Sequence, residues 1–308
     1  MANSITTVSK YIPYLDKVYK YASRSSVLDA PDDLVRATAD AKSVLVAKTS
    51  MQGLGNYNRN SGFVTGDVTL TWETKTLSQD RGRSFSIDAM DDAETLGVAF
   101  GTLASEFLRT KVAPEIDAYR FNAYAAAAGL APSAGATLTK STAAEAIDTA
   151  MAEMKENEVD LAGAYLFVTP TVYNFVKQSS KWTRTLAPGQ DPNGNFGMYD
   201  ELKVIEVPQT RFYKGITLAD GSTSGQTDGG YSKTLSTGVD INFLVVSPSA
   251  VLQVAKHAKL RVFEPDVNQT ADAYKIDYRI YHDAWVLDNK TKGIYAHCKA
   301  APTQSGSN

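Results

Sequence analysis

The sequence predicts an α+β chain in which a long helix and antiparallel sheet need one another, and three stretches of pattern predict it. Val68, Leu70 and Trp72 alternate with Thr69, Thr71 and Glu73, and Phe85 and Ile87 alternate with Ser84, Ser86 and Asp88, the period of strands with one apolar face. A helical stripe runs from Leu96 through Phe100, Leu103, Phe107 and Lys111 and resumes at Ile116, Tyr119 and Ala123. Near the C-terminus Tyr274, Ile276, Tyr278 and Ile280 alternate with Lys275, Asp277 and Arg279, which reads as a second sheet with one wet face. That sheet has nothing local to pack on, so the apolar stripe of the helix is its expected cover.

Residues 1–56 read as an extended arm, weakly periodic, with a short helix near Tyr14 to Tyr21 and polar punctuation at Ser23 to Ser26 and at Pro31-Asp32-Asp33. Lys10, Lys17, Lys20 and Arg24 against Asp16 give this arm a local basic excess. Residues 57–90 read as an extended hairpin loop, its two strands joined by the polar turn Ser78-Gln79-Asp80-Arg81-Gly82-Arg83. An isolated hairpin is marginal in water, so its apolar face wants a partner outside itself. The helix opens with Asp91 as N-cap and Glu94 in capping-box position, and it closes in an alanine run before Gly129 and Pro132. Spanning 92–128, it is about 55 Å long at 1.5 Å per residue. Pro114 removes the bond to the Thr110 carbonyl, so the element is one kinked helix or two helices that share a direction.

Residues 91–135 and 247–308 form one expected domain, and 136–246 a second of mixed α/β type. In the second, Ala146, Ile147, Ala150, Met151 and Met154 mark a helix over 142–157, followed by a buried-type strand at 164–168 and a helix at 171–177. A polar loop with Pro188, Gly189, Pro192 and Gly194 leads to strands at 203–207 and 241–246, between which the Gly-, Ser- and Thr-rich stretch 215–238 reads as a mobile surface loop. After 284–287 a turn at 288–293 leads to a last strand at 294–297, placed with the C-terminal antiparallel sheet.

Chemistry is sparse. The chain has 308 residues, a net charge of −3 and a single cysteine, Cys298, so no intrachain disulfide forms and a reducing cytoplasm suits it. Its first residues lack the basic and apolar regions of a signal peptide, and no run of about 18 apolar residues occurs, so no membrane association is expected. None of the three histidines, His257, His282 and His297, stands in metal-ligand spacing, and His297 and Cys298, as strand neighbours, point to opposite faces. Gly53-Leu54-Gly55 begins like a dinucleotide loop, but Asn58 stands where the third glycine belongs. Asp91-Asp92 is accounted for by capping and Asp32-Asp33 by a polar turn. No catalytic group, metal site or cofactor is expected.

The order of arm, charged hairpin, long helix, mixed subdomain and returning sheet resembles the major capsid proteins of tailed bacteriophages, the Hong Kong 97-type fold. Val68 to Leu77 with Asp80-Arg81-Gly82, Val112 to Arg120, and Tyr281 to Leu287 with Lys292 to Tyr295 carry the likeness. The resemblance implies an extended hairpin that reaches onto a neighbouring copy, a spine helix within a peripheral domain, and an axial domain at 136–246. It implies a subunit that self-assembles as pentamers and hexamers into an icosahedral shell around double-stranded DNA, assembled in the host bacterial cytoplasm and located in the virion. A portal and a separate scaffolding protein are the implied partners, with non-specific DNA inside. Candidate inter-subunit residues on the hairpin are Trp72, Glu73, Lys75, Asp80, Arg81, Arg83, Phe85 and Ile87. Some relatives form a Lys-Asn isopeptide, for which Lys75 and Asn289 are the available pair, although no glutamate to catalyse it is identifiable. The alternatives are an encapsulin-type nanocompartment shell and, more remotely, a soluble enzyme or binding module.

Overall fold

The computed structural model describes residues 22–29, 36–37, 42–60, 62–88, 104–184, 197–268 and 271–299. The expected helix at 14–21, most of the basic arm (Lys10, Lys17 and Lys20), the cap at Asp91 and Glu94 and the tail beyond 299 lie outside these residues.

Three antiparallel strands, β1 (Arg36–Ala37), β2 (Ser43–Met51) and β3 (Val68–Thr76), form a ribbon. A second three-stranded sheet runs in the order β13 (Val251–Phe263), β14 (Ala273–Val286), β4 (Gln79–Asp88). A seven-stranded mixed sheet is ordered β15 (Ile294–Cys298), β12 (Val239–Val246), β5 (Tyr165–Val168), β8 (Leu202–Glu206), β7 (Gly197–Tyr199), β6 (Trp182–Arg184), with β9 (Tyr213–Lys214) also on β12. Within it only β5 and β8 run parallel. The strands β10 (Ile216–Leu218) and β11 (Tyr231–Lys233) make a separate hairpin.

Three expectations are corrected by these pairings. The stretches 68–76 and 79–88 are not the two arms of one hairpin: β3 pairs with β2, whereas β4 pairs with β14, from Gln79 opposite His282 to Asp88 opposite Ala273. The extended hairpin therefore spans 43–76 and reaches back into the segment assigned to the arm. Gly82, read as a turn residue, sits inside a strand because a Cβ there would lie 2.8 Å from the Tyr278 carbonyl oxygen. The last strand leaves the C-terminal sheet, since β15 pairs with β12 and joins the mixed sheet. The glycine-rich stretch 215–238 carries the β10–β11 hairpin, which is hydrogen-bonded and docked rather than a structureless loop.

The spine helix is helical from residue 104, passes through a π-helical turn at Leu108–Val112 and continues as α1 (Ala113–Ala127). The π turn is where the Pro114 problem is absorbed: the Ala113 N–H donates to the Leu108 carbonyl five residues back, and Pro114 starts the following α-helix, where its missing N–H costs nothing. The extra residue also moves the apolar stripe. Ala104, Leu108, Val112 and Ile116 are buried and Lys111 is exposed.

That helix serves two cores. Its first half packs on Ile276, Tyr278 and Ile280 of β14, the partner expected from the sequence, through Ile116 and partly buried Phe107 of the expected stripe and through Leu108 and Val112 from outside it. Its second half packs Phe121, Tyr124 and Ala125 on Phe167 of β5 and on Leu244 and Val246 of β12. The opposite face of the mixed sheet, with Leu166, Val168, Phe243 and Val245, is covered by α2 (Lys140–Glu156) through Ala143, Ile147, Ala150, Met151 and Met154, and by α3 (Pro170–Val176) through Val172 and Val176. Successive strand residues alternate between the two cores, as period two requires.

Asp117 sits where the helix changes from one core to the other, and it is fully buried. Its carboxylate accepts from Ser23 Oγ at 2.6 Å, Ser25 Oγ at 2.7 Å, Arg24 N at 2.8 Å, Ser25 N at 3.2 Å and Arg211 Nη1 at 3.3 Å. Arg211 also donates to the Ala22 carbonyl at 2.9 Å, and Gln253 Nε2 of β13 donates to the Ser25 carbonyl at 2.8 Å and to Asp29 Oδ1 at 2.7 Å. One turn further along α1, Arg120 Nη1 meets Ser25 Oγ at 3.0 Å and Asp29 at 3.3 Å. Residues 22–29 are thus strapped to the spine helix, β13 and the 209–211 turn by hydrogen bonds, and Leu28 adds its side chain to the second core.

Replacing Asp117 with Ala leaves those donors and the Arg211 guanidinium without their buried acceptor; the expected cost is about 3 kcal/mol of unfolding free energy, checked by urea denaturation. Gly82→Ala is expected to lower the denaturation midpoint, because strand backbone must shift to admit the new methyl; an unchanged midpoint would mean that β4 and β14 separate freely there.

Candidate functional site

Two features of this fold have the character of a working surface: the ribbon, and a cleft at the joint between the spine helix, β4 and the glycine-rich hairpin.

Among the described residues the ribbon is fastened mainly at its base, with one tie further out where Lys48 Nζ donates to Asp288 Oδ2 at 3.3 Å. Val44 and Leu77 are buried at the base, Lys256 Nζ donates to the Ser43 carbonyl at 2.6 Å, Tyr281 OH to the Leu77 carbonyl at 3.0 Å, and the Ser78 N–H to Asp283 Oδ2 at 2.8 Å. Away from the base the apolar side chains are uncovered. Met51, Leu54, Tyr57, Phe63, Val64, Val68, Leu70 and Trp72 are between 43% and 107% exposed, and they are eight of the ten large apolar side chains found exposed among the described residues. The tip is nevertheless shaped: Asn58 and Gly62 exchange backbone hydrogen bonds of 3.2 and 2.7 Å, Gly62 has φ +80°, and the Tyr57 and Phe63 rings meet edge to face at 4.9 Å. An exposed apolar surface of this kind is uncommon on a folded protein, so the ribbon is the candidate contact surface of the fold.

The cleft has a volume of about 1230 Å³. Phe85, Phe107, Val112, Ile116, Tyr278, Ile280 and His282 contribute apolar walls and floor. Its two sides are joined by arginines of β4. Arg81 Nε donates to Glu115 of the spine helix at 2.7 Å and Nη1 to the Ala219 carbonyl of the hairpin at 2.8 Å, while Arg83 donates from both terminal nitrogens to the Thr227 carbonyl at 3.2 Å. Gly221 and Gly229, at φ +76° and +68°, curl around that guanidinium, and a Cβ at Gly221 would stand 3.2 Å from Arg83 Nη1. The glycines thus have a local reason.

The eight residues expected at an inter-subunit surface therefore divide. Trp72 stays on the open ribbon. Glu73 and Lys75 face each other on β3 at 2.6 Å, and this hydrogen bond, opposed by slight burial and aided by the charges of Glu73 and Asp288, holds the Lys75 pKa above its ordinary value. An amine kept as ammonium is a poor nucleophile, which bears on its pairing with Asn289, a residue of the turn Asp288–Gly293. Asp80 binds Arg279 across the β4–β14 pair at 2.8 Å, Phe85 packs edge to face on Phe107 at 4.8 Å, and Ile87 lies opposite Tyr274. Asp80, Arg81, Arg83 and Phe85 are thus engaged within the chain itself. Sequence reasoning missed the tip, Leu54, Tyr57, Phe63 and Val64, although four large apolar residues in a glycine- and asparagine-rich loop were the available signal. Arg24, the described member of the basic arm, is held by its backbone N–H on Asp117.

His282 and His297 are buried rather than displayed. His297 Nδ1 lies 3.1 Å from Asn242 Nδ2 and its ring stacks on Phe243; His282 packs edge to face on Tyr119 at 5.3 Å. Among the described residues no group of three or more His, Cys, Asp or Glu is placed to hold a metal, and no helix is long and apolar enough to cross a membrane.

No protein-family model and no curated protein sequence matches the chain. Solved structures do. The capsid structure of the cyanophage P-SCSP1u matches with a TM-score of 0.56 at 14% identity, over 86% of this chain and 85% of that one. The capsid structure of Staphylococcus phage Andhra matches with a TM-score of 0.51 at 12% identity, over 89% and 83%. The chain has the Hong Kong 97-type capsid fold. A structure from Mycobacterium phage Che8 agrees, with a TM-score of 0.54 at 14% identity over 86% of each chain. In the terms of this fold, the ribbon is the extended loop and the helix through Asp117 is the spine.

Arg81→Ala is expected to free the glycine-rich hairpin from β4 and the spine, weakening local protection by about 2 kcal/mol. Hydrogen exchange at the Ala219 amide, which donates to Gly230 at 2.9 Å, reads this directly.

Proposed function

We propose that the chain is the subunit of an icosahedral phage head that encloses double-stranded DNA. The observation that carries this reading is the ribbon, whose large apolar side chains from Met51 to Trp72 are 43% to 107% exposed. In a closed symmetric shell the cover is another copy, and each modest contact is repeated around every axis. The capsid structures of similar fold support the same reading.

In this proposal the ribbon from Ser43 to Thr76 reaches onto a neighbour, with Leu54, Tyr57, Phe63, Val64, Leu70 and Trp72 supplying the buried area and Glu73 and Lys75 the polar margin. Asp80, Arg81 and Arg83 set the geometry of the joint from which the ribbon departs. Exposed ion pairs contribute about 0 to 1 kcal/mol each, so the apolar side chains decide the contact. DNA is held without sequence preference by lysines and arginines on the inner surface, and its attachment weakens with salt. Pentamers and hexamers of this chain, a portal and a separate scaffolding protein complete the particle, which assembles in the host cytoplasm.

Expression of the chain, with electron microscopy of the product, tests the proposal. Shells, rings of five or six, or tubes are expected for the native sequence. Replacing Leu70 and Trp72 together by Ser, on the open ribbon, is expected to abolish these assemblies and leave a folded subunit with unchanged circular dichroism. Assembly that survives both substitutions would contradict the role given to the ribbon, and shells filled with protein cargo instead of DNA would point to a nanocompartment.

A further inference from the structure

The floor of the cleft holds a group that neither the core packing nor the shell reading uses. His282, on β14, is 2% exposed and lines the cleft. Its Nδ1 is buried and has no hydrogen-bond partner among the described residues. A buried polar atom without a protein partner is uncommon.

The charges that act most on the ring are those of two arginines. From the spine helix, Tyr119 presents its ring edge, and Arg120 lies close enough to act on the histidine. From β4, Arg81 does the same, beside Gln79, which is paired opposite His282. On β13 the residue opposite is Ala255, with Lys256 next along donating to the Ser43 carbonyl. The carboxylates of this region are already bound. Glu115 holds Arg81, Asp117 holds the serines of the strap and Arg211, Asp29 holds Arg120, Asp80 holds Arg279, and Asp283 accepts from Tyr119 OH at 2.7 Å and from Ser78 N. A proton added to the ring therefore adds a positive charge near Arg81 and Arg120, while the carboxylates described around it already accept from other donors.

We propose that this floor is an acid-released joint: a proton on His282 loosens the spine helix from the sheet of β13, β14 and β4. The pieces that separate are the helix surface carrying Ile116 and Tyr119 and the strand surface carrying Ile280 and His282, the place where the cleft already brings solvent near. The inference concerns the subunit alone and stands apart from the shell reading. Burial, and then the charges of Arg120 and Arg81, push the His282 pKa down to about 3 in the closed state. The opened state binds its proton near the ordinary value of about 6.5. A basic group whose pKa is depressed on closing favours the closed state fully above about pH 6.5. Below that, opening is favoured by up to tenfold for each pH unit, a trend that continues towards about pH 3.

The test uses the full chain with its histidines labelled for NMR, together with hydrogen exchange along Ala113–Ala127 between pH 7.5 and 4.5. Exchange is compared after correction for the intrinsic pH dependence of amide exchange. The expected result is a His282 signal that stays neutral to well below pH 5 while the corrected opening of the helix rises, up to about 100-fold over the two units below 6.5. His282→Gln, which is neutral throughout, should flatten that rise, and His297→Asn should leave it in place. A His282 resonance titrating near 6.5 in the folded chain, or a rise of equal size in His282→Gln, overturns the proposal. Should His282→Gln fail the circular dichroism check at pH 7.5, the titration of the native chain decides by itself.

Discussion

The structure depends on a single helix being shared by two apolar cores, and on a buried carboxylate at the point where the sharing changes hands. Leu108, Val112 and Ile116 face one sheet, Phe121, Tyr124 and Ala125 the other, and Asp117 stands between the two sets. A bare carboxylate in that position would be costly, because burying charge without partners loses more than packing returns. Five donors offset that cost, and four of them come from the Ser23-Arg24-Ser25 stretch near the start of the chain. The strap, the helix and the Arg211 turn therefore hold or fail together. The π turn before Pro114 belongs to the same design, since it rotates the stripe so that Val112 and Ile116 both reach β14.

From that joint the remaining architecture extends outward with little of its own support. The ribbon hangs from Leu77 and Ser78, the β10–β11 hairpin from Arg81 and Arg83, and neither has a core. Elements without cores are stable only when anchored by specific polar contacts at one end or covered by a partner. The hairpin has the first of these. The ribbon has the first at its base and in the exposed Lys48–Asp288 pair, and in the shell reading it receives the second from another copy.

Local elements were legible in the sequence where a period could be heard over several residues. The helix over Lys140–Glu156, the strands at Tyr165–Val168 and Leu202–Glu206 and the packing of β14 against the spine all follow from spacing. What was not legible was pairing between strands far apart in sequence. Strands β3 and β4 are separated by two residues and look like a hairpin, and Asp80-Arg81-Gly82 has the composition of a turn. The register with β14, some 200 residues away, is set by Phe85 and Ile276 facing the same core and by Gly82 clearing the Tyr278 carbonyl, and neither condition has a local signature. Ser23 to Ser26 reads as punctuation for the same reason: serines that wrap a carboxylate on a distant helix look like serines of a loop. The open surface was half legible. Trp72 and Leu70 were marked by alternation, but the tip lay beyond any periodic pattern, and Arg81 and Arg83 looked available because their acceptors, Glu115 and the Ala219 and Thr227 carbonyls, are distant in sequence.

The measurement that tests this account most directly is hydroxyl-radical footprinting of the chain before and after assembly. The account predicts that Met51, Tyr57, Phe63 and Trp72 are oxidised readily in the unassembled subunit and strongly protected in particles, while buried Tyr124 and Tyr295 are slow in both. Equal oxidation of the ribbon residues in subunit and particle would mean that no copy covers them, and would contradict the claim that this surface exists for contact between copies.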